Sequence, residues 1–279
     1  MVPGPICWMA DIFGHHAQSP QIYRQLGYSL YMFERGQLEP EETTDFRWAG
    51  IDGTKLLTHW EADTYYGFNL GLAWLGNRSD EWIAGRIRQE VLKPIEDTAT
   101  TALFTKIGGD FLCPSEEHLA FLKRWNDGGW GPPVRFAHPD RFIAESATQP
   151  GLKTLTAEFN PLLQGTYSTR IRLKQLNREL ENAAYALEAL GVALGQPVDT
   201  DDLWRGIAKH QFHDIICGSL GDAAWKEALA EATDLRQATA ARGTALLRGS
   251  GGTATVVFNP LPYPRTEVVA GPATTSVRG

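Results

Sequence analysis

The stretch Ile6-Cys7-Trp8-Met9-Ala10-Asp11-Ile12-Phe13-Gly14-His15-His16-Ala17-Gln18-Ser19-Pro20-Gln21-Ile22 decides how the chain is read. An apolar run from Ile6 to Ala10 closes on an acid, Asp11, as the end of a buried strand does. Gly14 supplies a sharp turn. Ser19 and Pro20 then open a helix, as N-cap and first helical residue, and Gly27 caps its carboxyl end. Tyr28 to Phe33 is apolar and aromatic, with strand character. Strand, helix, strand makes a βαβ unit and hence a parallel sheet. An acid at the carboxyl end of a buried strand, before a Gly turn and a capped helix, stands where α/β folds carry catalytic groups. The same geometry also suits an acid that only caps its own turn.

Further along, Asp52-Gly53 lies between two apolar runs, Phe46 to Gly50 and Lys55 to Trp60, which predicts a hairpin. His59, Tyr65, Tyr66 and Phe68 fit either the lining of a pocket or ordinary packing. Asp80 to Asp97 reads as a helix capped by Ser79, with Trp82, Ile83, Ile87, Val91 and Ile95 on one face. Thr100 to Ile107 reads as a strand that ends at Gly108-Gly109-Asp110-Phe111. That is a second acid at a strand end, behind glycines that let a backbone or ligand approach. Ser115 opens another helix, with Leu119, Leu122 and Trp125 inward and Gly128-Gly129 stopping it. Val134 to Phe136 reads as a last short strand.

At about Tyr167 the period changes. Ile171, Leu173, Leu176, Leu180, Ala184, Leu187, Leu190 and Leu194 follow a three-four spacing, which predicts one long amphipathic helix. Leu203 to Phe212 and Ala223 to Leu247 predict two more, together a three-helix bundle. After a Gly-rich linker, Thr253 to Pro260 and Arg265 to Val269 read as strands. Two strands do not form a core of their own. The expected architecture is therefore α/β plus α. A partial parallel-sheet (β/α) barrel-like domain spans residues 1–165, three helices span 166–248, and a β-sandwich domain begins over 249–279.

Bulk properties narrow the function. The chain has 279 residues, 43% hydrophobic and 21% charged, with nine Trp and eight Tyr. Its net charge of −7 argues against nucleic acid or an anionic membrane as partner. No apolar run reaches the ~18 residues of a membrane span. Cys7, Cys113 and Cys217 show neither a metal spacing nor a paired framework, which predicts a reducing, cytoplasmic setting.

Three motifs carry chemistry, and together they resemble glycoside hydrolase family 38, the α-mannosidases. Asp11, Phe13, Gly14, His15, Pro20 and Gln21 are similar to that family's nucleophile motif, Asp-x-Phe-Gly-His followed by Pro-Gln. Trp48-x-Gly50-x-Asp52-Gly53-Thr54 is similar to the segment that follows it. Gly108-Gly109-Asp110-Phe111 resembles the acid/base segment Gly-Asp-Asp-Phe, with Gly109 a departure. Gln211-Phe212-His213-Asp214-Ile215-Ile216-Cys217-Gly218-Ser219 resembles Phe-His-Asp-Ile-x-x-Gly-Ser and is the most specific match. Gln164 to Arg170 and Lys174-x-x-Asn177-Arg178-x-x-Glu181 resemble the entry to the family's central helical domain. Val257-Phe258-Asn259-Pro260 resembles the start of its C-terminal β-domain.

The resemblance implies a retaining hydrolase of terminal α-D-mannosyl residues, in a small mannoside or a mannose-containing glycan. It implies Asp11 as nucleophile and Asp110 as acid/base. Asp11 and His213 would be ligands of Zn2+ or another divalent ion, with Asp214 and Trp8 against the sugar. The residue types suit that chemistry, since retaining hydrolysis uses two carboxyl groups about 5–5.5 Å apart. The family's two other metal ligands come from an upstream His-x-Asp motif. The one look-alike here, His138-Pro139-Asp140, reads as turn chemistry. The expectation is an internal piece of a longer α-mannosidase, left with two ligands, too few for a tight metal site, and incomplete as an enzyme, with bare edges that favour self-association into a homo-oligomer. Competing readings are a hydrolase for another α-linked sugar and a non-catalytic carbohydrate-binding or interaction fragment.

Overall fold

The computed structural model describes residues 4–36, 43–62, 66–96, 100–113, 115–160, 163, 165–249 and 257–266. The chain divides into two compact units, Met1–Leu163 and Gln164–Gly279.

In the first unit, β1 (Ile6–Met9), α1 (Ser19–Gln25) and β2 (Leu30–Phe33) form the expected βαβ unit, with Ile6 to Met9 in parallel register with Leu30 to Phe33. Helix α1 begins at Ser19 itself. Gln18 is the capping residue and Pro20 lies in the first turn. Gly27, at φ +93°, lets the chain leave the helix, and the N–H of Tyr28 closes on the carbonyl of Tyr23. β3 (Asp45–Ala49) and β4 (Lys55–Trp60) are the predicted hairpin, turning at Gly53 with φ +82°. β4 pairs in parallel with β2, and β5 (Lys153–Leu155) pairs in parallel with β3. The sheet order is β1-β2-β4-β3-β5. It is a mixed sheet, where a parallel one was expected, because the tight hairpin reverses β3.

Both faces of β2 are covered, so all four of its residues are buried. One face carries Cys7, Tyr31, Phe33, Phe46, Trp48 and Leu56, packed with Phe159 and Tyr23. The other carries Leu30, Met32 and Leu57 against Phe142, Ile143 and Phe104.

The helical segment that follows α2 (Asn69–Leu72) runs from α3 (Asp80–Ile87) through a π-helical turn (Arg88–Leu92) into α4 (Lys93–Ile95). Ser79 accepts the N–H of Trp82, as expected of a cap. Ile83, Ile87, Val91 and Ile95 are four apart and all buried. Strict four-residue spacing drifts around a straight α-helix, and the wider π turn returns the row to one face. Trp82 falls outside that row and is 40% exposed. In α5 (Glu116–Gly128) the inward residues are Phe121, Leu122 and Trp125. Leu119, expected inward, is exposed. Gly129 closes the helix at φ +60°.

Two expected strands are not strands. Thr100 to Ile107 is irregular apart from one bridge, Ile107 to Gly67. Thr100 instead spends its hydroxyl on Asp45 and the carbonyl of Ala102. Val134 to Phe136 is also irregular, with both backbone groups of Val134 held by the side-chain amide of Asn126. The chain then forms α6 (Pro139–Ser146), capped by His138, where only loops were expected.

In the second unit, α7 (Ile171–Ala193), α8 (Asp201–His210) and α10 (Asp222–Gly249) pack on one another, with the short α9 (His213–Ile216) between. Their shared core is Leu176, Leu180, Ala184 and Leu187 of α7, Leu203 and Ile207 of α8, and Ala232 of α10. Gly206 lets α8 approach α10, because a Cβ there would lie 2.6 Å from a Leu235 methyl. Of the expected strand Thr253 to Pro260, residues 253–256 lie outside the described residues, and Val257 to Pro260 are not in a strand. Arg265 to Val269 lies mostly outside them too. No helix among the described residues is long and apolar enough to cross a membrane.

Candidate active site

The parallel strands β1, β2 and β4 end in register, with Met9 beside Phe33 and Phe33 beside Trp60. Beyond those ends stand Asp11, then Glu34 and Arg35, then Glu61. Carboxyl ends of parallel strands are where α/β folds gather ligand-handling groups. The Nε–H of Arg35 donates to Oδ1 of Asp11, an ion pair in which Asp11 is largely covered and Arg35 is 40% exposed. The same guanidinium lies 5.8 Å from the centre of the Phe13 ring.

Local packing makes the turn after Asp11 rigid. Gly14 has φ +109°, and a Cβ there would lie 2.0 Å from Oδ1 of Asn160. His15 is buried, with Nδ1 2.6 Å from the Tyr31 hydroxyl and Nε2 bonded to the carbonyl of Arg35. Its backbone exchanges hydrogen bonds with Phe159, and its ring lies 4.6 Å from Phe33. Burial lowers the His15 pKa, so the neutral ring is favoured. His15 therefore fastens the Asp11 turn to the strand-end residue that holds Asp11.

Trp8 is 57% exposed on β1 and donates its indole N–H to Oε2 of Glu61 at 3.2 Å. Lys106 lies 3.1 Å from Glu61 and 3.4 Å from Glu34. Burial, the largest influence, raises the Glu34 pKa against the opposing pull of Lys106. Lys106 also begins the segment leading to Asp110. Its carbonyl accepts the N–H of Phe68, and Asn69 holds the carbonyl of Gly108 at 2.7 Å. Asp110 stands exposed on the turn that follows. At Gly109 a Cβ would lie 2.4 Å from the Tyr66 ring, so glycine here answers a local crowding. Phe111 has φ +61° and is fully exposed.

Of the residues that fitted either a pocket or a core, His59 and Phe68 belong to the core. His59 is bonded to Asp45 at 2.8 Å and lies between the rings of Phe104 and Phe142. Tyr66 is partly exposed. Tyr65 lies outside the described residues. His138 behaves as turn chemistry, since its Nδ1 accepts the N–H of Asp140 at 3.4 Å.

In the second unit His213 and Asp214 open the one-turn helix α9. His213 is partly covered, with its ring 4.4 Å from Phe212 and Nε2 3.9 Å from Oδ1 of the exposed Asp214. Glu181 of α7 accepts the side-chain amide of Gln211 at 2.6 Å and that of Asn177 at 2.8 Å. Gly218, at φ +84°, packs where a Cβ would lie 2.5 Å from Oγ1 of Thr169 and 2.8 Å from Nζ of Lys174. Thr169 also holds the carbonyl of Cys217 at 3.0 Å. The 174–181 motif thus anchors the loop that presents His213. Imidazole nitrogen and carboxylate oxygen are donors of the kind zinc takes, so His213 and Asp11 suit such an ion chemically.

Residues 2–160 match the family description "Glycosyl hydrolases family 38 N-terminal domain", more than half of the chain. The chain belongs to glycosyl hydrolase family 38. Residues 161–247 match "Alpha mannosidase middle domain". Among its relatives, Alpha-mannosidase 2C1 of Mus musculus is 28% identical over 96% of this chain and 27% of its own length. Alpha-mannosidase G of Dictyostelium discoideum is 26% identical, over 76% of this chain and 20% of its own length. The chain thus spans about a quarter of the length of these curated relatives. A solved alpha-mannosidase from Enterococcus faecalis V583 shares the fold, with TM-score 0.70 and 23% identity over 88% of this chain and 30% of that one.

Sequence reasoning alone did not single out Arg35, Glu34, Glu61 and Lys106. Arg35 and Glu61 carry the signal that marked Asp11, a charged residue just past an apolar strand.

Proposed function

We propose that this chain carries catalytic residues of a retaining α-mannosidase acting on terminal α-D-mannosyl groups of a mannoside or glycan. The observation that supports it most is Asp11, on a rigid turn at the carboxyl ends of parallel strands, in the family's nucleophile motif. Asp11 attacks the anomeric carbon, and the ion pair with Arg35 keeps its carboxylate aimed. Asp110 protonates the leaving oxygen and then deprotonates the water that releases the sugar. Asp214 and Trp8 hold the sugar, by hydroxyl contact and by ring stacking. Asp11 and His213 would hold Zn2+ or a similar divalent ion, which would offer positive charge to vicinal hydroxyls. The domain limits we propose are 1–165 for a barrel-like catalytic part, 166–248 for a three-helix bundle and 249–279 for the start of a β-sandwich. Three unpaired cysteines support a cytoplasmic setting.

Hydrolysis of 4-methylumbelliferyl α-D-mannoside and of a panel of other aryl glycosides by the purified chain, with metal content measured alongside, tests this reading. Asp11→Asn should remove turnover. Asp110→Asn should spare only substrates with activated leaving groups. Release of another sugar but not mannose would assign a different substrate, and turnover that survives Asp11→Asn would remove Asp11 as nucleophile.

A further inference from the structure

We propose that Glu61 is a positioning residue that fixes the Trp8 indole as the sugar-stacking platform, with Lys106 holding Glu61. The inference rests on the reading of Trp8 as a sugar-contacting residue and assigns what keeps it in place. Trp8 is the exposed member of β1, and a ring left 57% open on a four-residue strand has several rotamers to choose from. Its N–H is tied to a carboxylate whose side chain is only 1% exposed. That carboxylate follows β4 directly, and its own N–H bonds to the carbonyl of Phe33, so backbone and side chain are both fixed.

The energetics favour a dedicated arrangement. Glu61 and Lys106, which are 1% and 11% exposed, form a poorly solvated ion pair 3.1 Å apart, with Glu34 as second partner of the ammonium. Such a pair adds little net stability over an apolar replacement, yet loss of one partner is costly. It holds a geometry. Oε2 receives both the indole and the ammonium, while Oε1 is buried with no hydrogen-bond partner among the described residues. A buried acid that gives one oxygen to an exposed ring is arranged for that ring. Glu61 reaches the substrate only through Trp8.

The test uses the whole 279-residue chain. The indole N–H resonance of Trp8 is identified by its loss in Trp8→Phe, and affinity for methyl α-D-mannoside is titrated in parallel. Glu61→Leu should move the Trp8 resonance upfield while the other indoles hold, and should weaken the mannoside about tenfold. Glu61→Gln keeps shape and an acceptor oxygen, so it should lie close to the native chain; if the leucine variant fails to fold, Lys106→Met, which leaves Glu61 unheld, decides the matter and should move the Trp8 resonance and weaken the mannoside in the same direction. An unmoved Trp8 resonance in Glu61→Leu would overturn the proposal. So would a moved resonance with unchanged affinity. If the native chain binds no mannoside, the platform role and the function proposed above both fail, and a resonance that still moves marks a structural contact only.

Discussion

The guanidinium of Arg35, two residues past the end of β2, donates to the carboxylate of Asp11, two residues past the end of the neighbouring β1. His15 joins the same arrangement through the carbonyl of Arg35, so one turn holds both charges. The pair is partly exposed, and such pairs contribute only about 0–1 kcal/mol to folding. Its value lies in orientation. Arg35→Met should therefore shift the urea midpoint little and lower kcat on an activated α-mannoside about 10- to 100-fold, with Arg35→Lys intermediate. Equal losses of stability and rate would mean that the pair only holds the turn together.

Gly109 tests how the chain accommodates its departure from Gly-Asp-Asp-Phe. A side chain there meets the Tyr66 ring at 2.4 Å. Gly109→Asp should cost roughly 1–3 kcal/mol in urea unfolding. Gly109 also sits at φ +154°, a backbone that side chains rarely adopt, so Tyr66→Ala should recover only the part of that loss that the 41%-exposed Tyr66 ring causes. Additive losses would locate the strain elsewhere.

His15 predicts a pH dependence whose sign follows from its environment. Burial holds its folded pKa below the ordinary 6.5, so the unfolded chain binds the proton more readily. Stability is then undiminished above pH 6.5 and is lost as the pH falls below that value toward the folded pKa. His210, also lowered by burial, acts in the same direction. His15→Gln should flatten part of the acid limb of the stability curve below pH 6.5. An unchanged limb would show that other groups set it.

Much of the fold was legible because several local signals agreed. At the first helix, Pro20, Gly27 and the apolar runs on either side all point to one βαβ unit. The hairpin at Asp52-Gly53 and the caps at Ser79, Ser115 and Gly129 are similarly short-range. What failed was decided by partners distant in sequence. Thr100 to Ile107 has strand composition, yet Thr100 is bonded to Asp45 and Phe104 packs on His59. Val134 is claimed by Asn126. The place of β4 beside β2 and the late β5 beside β3 depend on sheet order, which spacing does not encode. At the site, motif wording singled out Asp11, Asp110 and His213. Arg35 and Glu61 emerged only when strand register aligned the ends of β2 and β4, and Lys106 only through its ion pairs with Glu61 and Glu34.

The helical unit offers a check on packing alone. Leu180 is fully buried where α7 meets α8 and α10. Leu180→Ala should cost about 2–5 kcal/mol. A loss below 1 kcal/mol by urea unfolding would mean that the site collapses around the cavity.

Covalent trapping identifies the nucleophile, assigned above to Asp11, by the residue that carries the sugar. The chain would be incubated with a 5-fluoro-mannosyl fluoride, which forms the glycosyl ester quickly and releases it slowly, then digested and read by mass spectrometry. One fluoromannosyl group is expected, on Asp11 in the peptide that carries Trp8 to Arg24, and none in Asp11→Asn. A label on Asp110, Glu61 or another carboxylate, or turnover unchanged in Asp11→Asn, would contradict that assignment.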